Sequence, residues 1–271
     1  MKKTMKLWAL ATAILLLCAA LTACGKPTTY EIVSEAVDQT LALDGMSATM
    51  EINMDMEMAS LGTSVEIPMT TTIKASGLQS DAPVILTTVS MSLMGMNMDT
   101  TTYVEGDYMY MSVMGENYKV KVEDTSEYDG MSDVDNLIKA LPEALLSEIV
   151  ATENADGTKT VKVSVPDEML SNIYSELISQ VQASAADGAT ITTCTIADAE
   201  VEITIDENGY ISVYDMSFLM DFNMSIEGMS MDVSTDVDVK VTYENPGEPV
   251  TVTPPVGYQD FPEVDAGDVG L

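Results

Sequence analysis

A curved antiparallel sheet, a half-barrel with helices packed on its concave face, is the α+β fold that these 271 residues predict. Three observations carry the expectation. Apolar and polar residues alternate with period two over long stretches, turn residues separate those stretches, and short segments between them carry an apolar stripe at helical spacing. The alternation yields about ten or eleven strands, several of them long, and such a sheet twists and curls rather than lying flat.

The chain opens on MKKTMK, a positive stretch, followed at 7–20 by LWALATAILLLCAA, an apolar run of signal-peptide length that is too short to span a bilayer. Leu21-Thr22-Ala23-Cys24 resembles the bacterial lipobox: an aliphatic residue, two small residues and a cysteine whose thiol accepts a diacylglycerol. The expectation is an exported chain in which residues 1–23 are a lipoprotein signal peptide and Cys24 is the lipidated N-terminus, anchored to the cell membrane by its acyl chains. Residues 24–29 form a tether reaching about 15 Å, so the domain sits close to the membrane surface.

Thr28, with Glu31 three residues on, has the capping-box pattern, and Ile32, Val33, Ala36, Val37, Thr40 and Leu41 continue as one helical stripe. From Gly45 the period becomes two. Met50, Ile52, Met54 and Met56 lie on the apolar face of a first strand that Leu61-Gly62-Thr63 turns back. A third strand is expected near 84–98, carrying Met94 and Met96, and two hairpins follow, turning at 105–107 and 115–117, with Met109 and Met111 facing inward. Ser132 caps a helical segment with Leu137 and Leu141 on its apolar face, restarted at Pro142. Asp156-Gly157 signals a hairpin, and Pro166 opens a further helix that turns Ile173 and Leu177 inward. Ile191, Thr193, Thr195, Ala197, Ala199, Val201, Ile203 and Ile205 alternate along one long strand. Asn208-Gly209 is the strongest hairpin signal in the chain. Met216, Phe218, Met220, Phe222 and Met224 then run back on the inner face, and 229–243 completes the sheet. The half-barrel domain is thus expected over 30–245, and 246–271, which holds five of the ten prolines, as an extended segment and a disordered acidic tail. One local repeat links MSATMEINM at 46–54 with MSFLMDFNM at 216–224, as two strands under the same pattern.

Composition narrows the function. The net charge is −33, and three of the eleven lysines lie in the leader, which holds no acid. Such a chain repels phosphate backbones, which excludes nucleic acid as a partner. It contains neither His nor Arg. That removes Ser-His-Asp and Cys-His catalysis, imidazole metal sites and bidentate anion clamps. No pair among the 44 carboxylates stands out as catalytic, and Asp206-Glu207-Asn208-Gly209 is a turn rather than a Ca²⁺ loop. Cys194 stays unpaired, a small half-buried apolar residue. Glu51, Asp55, Glu57, Asp236 and Asp238 alternate outward as a solvated face. No enzyme, cofactor or resident metal is expected.

Methionine is the unusual feature, with 22 residues, all but two beyond the leader. Three explanations compete: gap-filling in a core, a deformable cavity for flexible guests such as acyl chains, and Cu(I) on thioethers such as Met54, Met56 and Met58.

The lipobox, the N-terminal helix, the Met-alternating strands and the Tyr103–Met111 and Asn208–Ile211 hairpins resemble Met-rich lipoproteins of Gram-positive bacteria, similar in layout to the LolA/LolB and LppX/LprG lipid-carrier families. The resemblance spans 28–255 and implies a half-barrel whose cavity holds acyl chains. It transfers no site residue, and the absence of Arg leaves no partner for an anionic headgroup. The expected function is a membrane-anchored carrier of a lipid or other hydrophobic ligand. The alternative is a non-catalytic structural or interaction lipoprotein with a filled core.

Overall fold

The computed structural model describes residues 27–60, 62–93, 95–122, 141, 143–167, 189–226 and 229–265. A capping box starts helix α1, Thr29–Leu41: Thr28 Oγ1 accepts from the Glu31 N–H at 3.2 Å and Glu31 Oε2 accepts from the Thr28 N–H at 2.7 Å. Then come β1 (Gly45–Met58), β2 (Thr63–Ser76), β3 (Val84–Leu93), β4 (Met96–Glu105), β5 (Tyr108–Val113) and β6 (Glu116–Lys121). A short helix α2 (Glu143–Ser147) precedes β7 (Thr152–Glu153), β8 (Lys159–Val165), β9 (Ala189–Ile205), β10 (Ile211–Ile226) and β11 (Met229–Tyr243). The stretch expected as one strand near 84–98 is two, because the chain reverses at Gly95, whose φ is +79°.

These strands form one open, curved antiparallel sheet in the order β6-β5-β4-β3-β2-β1-β11-β10-β9-β8-β7. The chain therefore starts at the centre, steps outward to β6, crosses to the far edge at β7, and steps back until β11 zips against β1. Strand length falls by hairpins across this half of the sheet. β10 and β11 have 16 and 15 residues, β1 and β2 have 14, β3 and β4 have 10, and β5 and β6 have 6. Only Met69–Ser76 of β2 pairs with β3, so the shortening occurs at one end, where the turns at 59–62 and 114–115 also lie.

Helix α1 lies over the other end, and its packing follows from its stripe. Val33, Ala36 and Val37 are 1–2 % exposed against Val161, Val201, Ile203, Ile211, Tyr214 and Val241 of the sheet. Each such valine contributes about 1.5–3 kcal/mol by leaving water. Two buried threonines pin its ends. Near the first turn, the Thr29 hydroxyl donates to the Ile149 carbonyl and accepts from the Ala151 N–H. Near the last turn, the Thr40 hydroxyl donates to the Ala36 carbonyl at 2.7 Å and accepts the Ile211 N–H at 3.0 Å. Backbone conformation explains Gly209 in the β9–β10 turn. Its φ is +92°, and a Cβ there would come within 2.9 Å of Gln39 Oε1.

The β9 alternation breaks. Ile196 and Ala199 both face the core, because a bulge inserts a residue between the pairs Ser217–Glu200 and Leu219–Ala197, with Asp198 at φ +53°. A second irregularity lies between Ile191 and Thr193. Thr193 and Thr195, expected inward, are therefore exposed, while Cys194 and Ile196 turn in, opposite Phe222 and Met220. Asp198→Val should destabilise the fold by about 1–2 kcal/mol and Asp198→Gly should change it little, since only a β-branched residue is strongly penalised at positive φ. Urea titration distinguishes these, and equal losses would remove the bulge explanation.

The segment set apart in the sequence as a tail is placed against the sheet as far as Asp265. It crosses the outer face from β11 towards β6. Val250 lies 3.4 Å from where a Cβ on Gly45 would stand. Tyr258 packs edge-on against Tyr103 and Tyr110, with ring centroids 5.1 and 4.9 Å away, and its hydroxyl donates to Glu105 Oε2 at 2.8 Å. Residues 262–264 then pair with the edge strand: the Lys119 N–H donates to the Pro262 carbonyl at 2.8 Å and the Val264 N–H to the Lys119 carbonyl at 3.0 Å.

Candidate functional site

The inner face is a continuous apolar surface because the registers hold one parity across the sheet. Met50 pairs with Val241 and Thr71, Ile52 with Val239 and Met69, and Met54 with Val237 and Ile67. Tyr214, Met216 and Phe218 extend the same rows on β10, opposite Val241, Val239 and Val237. The acids at 51, 55, 57, 236 and 238 are exposed on the outer face. This is the trough the alternation predicts, and α1 covers one end of it.

The candidate residues divide into five groups. Met216, Phe218 and Leu141 are 5, 8 and 5 % exposed within the core beneath α1, and Met50, Met54 and Met220 pack half-buried against that core. Ile52, Met56 and Phe222 lie on the same face, half-buried. Met109 is 2 % exposed in a separate cluster with Val104 and Val122, against which Met111 packs. Met96 stands apart, 64 % exposed beside the β3–β4 turn. Cys24, Met94, Leu137, Ile173, Leu177 and the side chain of Met224 lie outside the described residues. Several central residues were absent from the sequence-derived candidates. Ile211 and Tyr214 are 0 and 2 % exposed, and the period-two pattern of Met216–Phe222 extended back two residues would have found Tyr214.

One buried threonine hydroxyl on this surface is unpaired. Thr235 is 1 % exposed between Met56 and Met220, and its Oγ1 has no hydrogen-bond partner. An unsatisfied buried hydroxyl costs about 1–3 kcal/mol. Thr235→Val, nearly isosteric, should therefore raise stability by about 1 kcal/mol in a denaturant titration; a loss of that size would mean the hydroxyl is satisfied in solution. On the same face, burial pushes the Cys194 thiol above its ordinary pKa.

Away from α1 the trough opens. A notch of about 750 Å³ lies at the shortened end of the sheet, lined by the inward Met58, Thr63 and Val65 and by the outward Ser64, Glu66, Pro68 and Ser92, with Gly95 at the β3–β4 turn. A hollow of about 390 Å³ includes Glu57, Asp221 and Asp232, whose outward carboxylates make it polar. Among the described residues no group of His, Cys, Asp or Glu could hold a metal ion, and no helix is long and apolar enough to cross a membrane.

A protein-family model described as a family of unknown function, DUF6612, matches residues 28–255. No curated protein matches the chain. Among solved structures, LprF from Mycobacterium bovis is similar with 14 % identity and a TM-score of 0.40, over 84 % of this chain and 97 % of that one. A DUF1329 family protein from Desulfovibrio piger is similar with 11 % identity and a TM-score of 0.25, over 82 % and 93 %. A LolA superfamily protein from Nitrosomonas europaea is similar with 6 % identity and a TM-score of 0.23, over 81 % and 95 %.

Proposed function

The chain belongs to DUF6612, a family of unknown function, and from that premise we propose that it is a non-enzymatic, membrane-anchored extracytoplasmic lipoprotein that carries a hydrophobic ligand with acyl chains in the inner trough. The observation that supports this most is the change in burial along one face. Beneath α1, Val161, Ile203, Ile211 and Val241 are almost fully covered, whereas farther along the same face Met56, Met58, Val65, Ile67 and Phe222 remain half-buried around the covered Val233 and Thr235. Apolar surface left partly in water gains about 25 cal/mol per Å² when a guest covers it. The Met-rich wall suits a flexible guest, since unbranched thioethers re-pack at little cost. The absence of Arg favours a ligand without an anionic headgroup. Thr235, a hydroxyl kept on that face at a cost in stability, is a candidate contact for the ligand's ester or hydroxyl group.

The test uses residues 28–265, which contain all the described elements except Pro27. Organic extraction and mass spectrometry should find co-purified lipid, and a fluorescent fatty acid should bind at micromolar concentration. If neither occurs, the carrier reading fails and a filled-core interaction module takes its place. Anchoring is tested separately: the full chain should incorporate labelled palmitate in cells, and Cys24→Ala should abolish the label. A chain that takes up no label, or takes it up without Cys24, is not anchored as proposed.

A further inference from the structure

Register brings three methionines from three neighbouring strands into one row. Met69 on β2 stands opposite Met91 on β3, and Met91 stands opposite Met98 on β4. Directly opposed residues point to the same side of an antiparallel sheet, so all three share the inner face, and each is half-buried. With strands about 4.8 Å apart, the outer two backbones are about 10 Å apart, a gap that long unbranched side chains close by leaning over the middle one.

We propose that this row is a binding site for a soft monovalent cation, Cu(I) or its analogue Ag(I), held by the three thioether sulfurs. Thioethers are neutral, polarizable donors that select such ions and ignore hard cations. The flanking rows carry no charge: Ile67, Leu93 and Met96 lie on one side, Thr71, Val89 and Thr100 on the other. The chain has no histidine to draw the ion elsewhere. Its large negative charge raises the local concentration of any cation. Met96, two residues before Met98 and 64 % exposed, gives the ion a first sulfur to meet from solvent. Simple core packing explains the row less well, because leucine or isoleucine would specify a packed core better than three aligned methionines. The inference does not depend on the acyl-ligand proposal, and either can fail alone.

The test titrates Cu(I), under ascorbate and against a chromophoric Cu(I) chelator, and separately Ag(I), into residues 28–265. One equivalent should bind, with only sulfur in the first shell of the X-ray absorption spectrum. Met91→Leu should weaken binding by about a hundredfold, and the triple change M69L, M91L and M98L should abolish it. Leucine conserves volume, so these variants should keep the native circular dichroism spectrum and melt. The control M46L, at the start of β1 and packed against the α1 core, should bind as the parent does. Three results would overturn the site: no retention against the chelator, retention by the folded triple variant, or loss on Cys194→Ser.

Discussion

Removing the C-terminal strap, by ending the chain after Glu248, should lower the melting temperature by ten degrees or more and make the protein self-associate. Two physical effects add. The first is packing: Tyr103, 2 % exposed, is covered by Tyr258, and uncovering it while losing the half-buried rings of Tyr258 and Phe261 forfeits about 3–5 kcal/mol of burial. In a chain of this size each kcal/mol is worth about 2–4 °C. The second is the sheet edge. Residues 262–264 occupy the backbone groups of Lys119, and without them β6 offers an open template for pairing with another molecule. Tyr258→Ala should reproduce much of the thermal loss without the association, since the backbone pairing at Lys119 remains. Tyr258→Phe should cost only about 1 kcal/mol, the exposed hydrogen bond to Glu105. Burial first, and then the Glu105 carboxylate, pushes the Tyr103 hydroxyl well above its ordinary value; burial first, and then Tyr258, does the same for Tyr110. The folded state thus holds these protons longer than the unfolded chain. Their contribution is complete below about pH 10 and is lost as pH rises above it. Differential scanning calorimetry and sedimentation velocity together check the set; a truncated chain that melts like the parent and stays monomeric refutes it.

The paired substitution Thr29→Val with Thr40→Val should cost about 2–6 kcal/mol and raise the binding of a hydrophobic dye. Each valine keeps the volume and deletes the hydroxyl, stranding the Ala151 and Ile211 N–H groups, which no longer find an oxygen from α1. A buried donor left without a partner costs about 1–3 kcal/mol. The two sites are at opposite ends of the helix, so their effects should nearly add. Loosening α1 uncovers the face beneath it, so dye fluorescence should rise before the sheet unfolds. Urea titration followed by dye fluorescence and by far-UV circular dichroism separates the two events. A pair of valines that leaves both curves unchanged would show that apolar packing alone holds the helix.

The strand pattern was legible because one residue in two is apolar from Met46 to Met58, and because 216, 218, 220 and 222 are all apolar with Leu219 the one exception between them, and a strand tolerates no other assignment of those faces. The capping box at Thr28 and the turn at Asn208-Gly209 were legible because their chemistry is local. What failed had no local signature. At Ala197-Asp198-Ala199 small residues fit either face, so the bulge that reverses β9 leaves no trace in the alternation, and Thr193 and Thr195 were assigned to the wrong side. Met94, Met96 and Met98 continue one period of two through the β3–β4 turn, which hid the reversal at Gly95. The sequence implies an extended edge segment, which the pairing at Lys119 matches, but its five prolines and acids do not reveal the packing that comes from Tyr258 and Phe261 meeting tyrosines about 150 residues away. The trough candidates followed from parity alone. Which of them α1 covers depends on where the helix crosses the sheet, and no residue encodes that by itself.

The stepped shortening of the sheet has a consequence for how it opens. A hairpin of two six-residue strands has far fewer ladder bonds to break than one of sixteen and fifteen. Amide protons should therefore exchange with deuterium in order, from β5–β6 through β3–β4 and β1–β2 to β10–β11, with the strap as the clasp that delays the first step. The molecule behaves as a zipper fastened at its weak end, and a protease that nicks the chain between Tyr243 and Tyr258 would set the unzipping going.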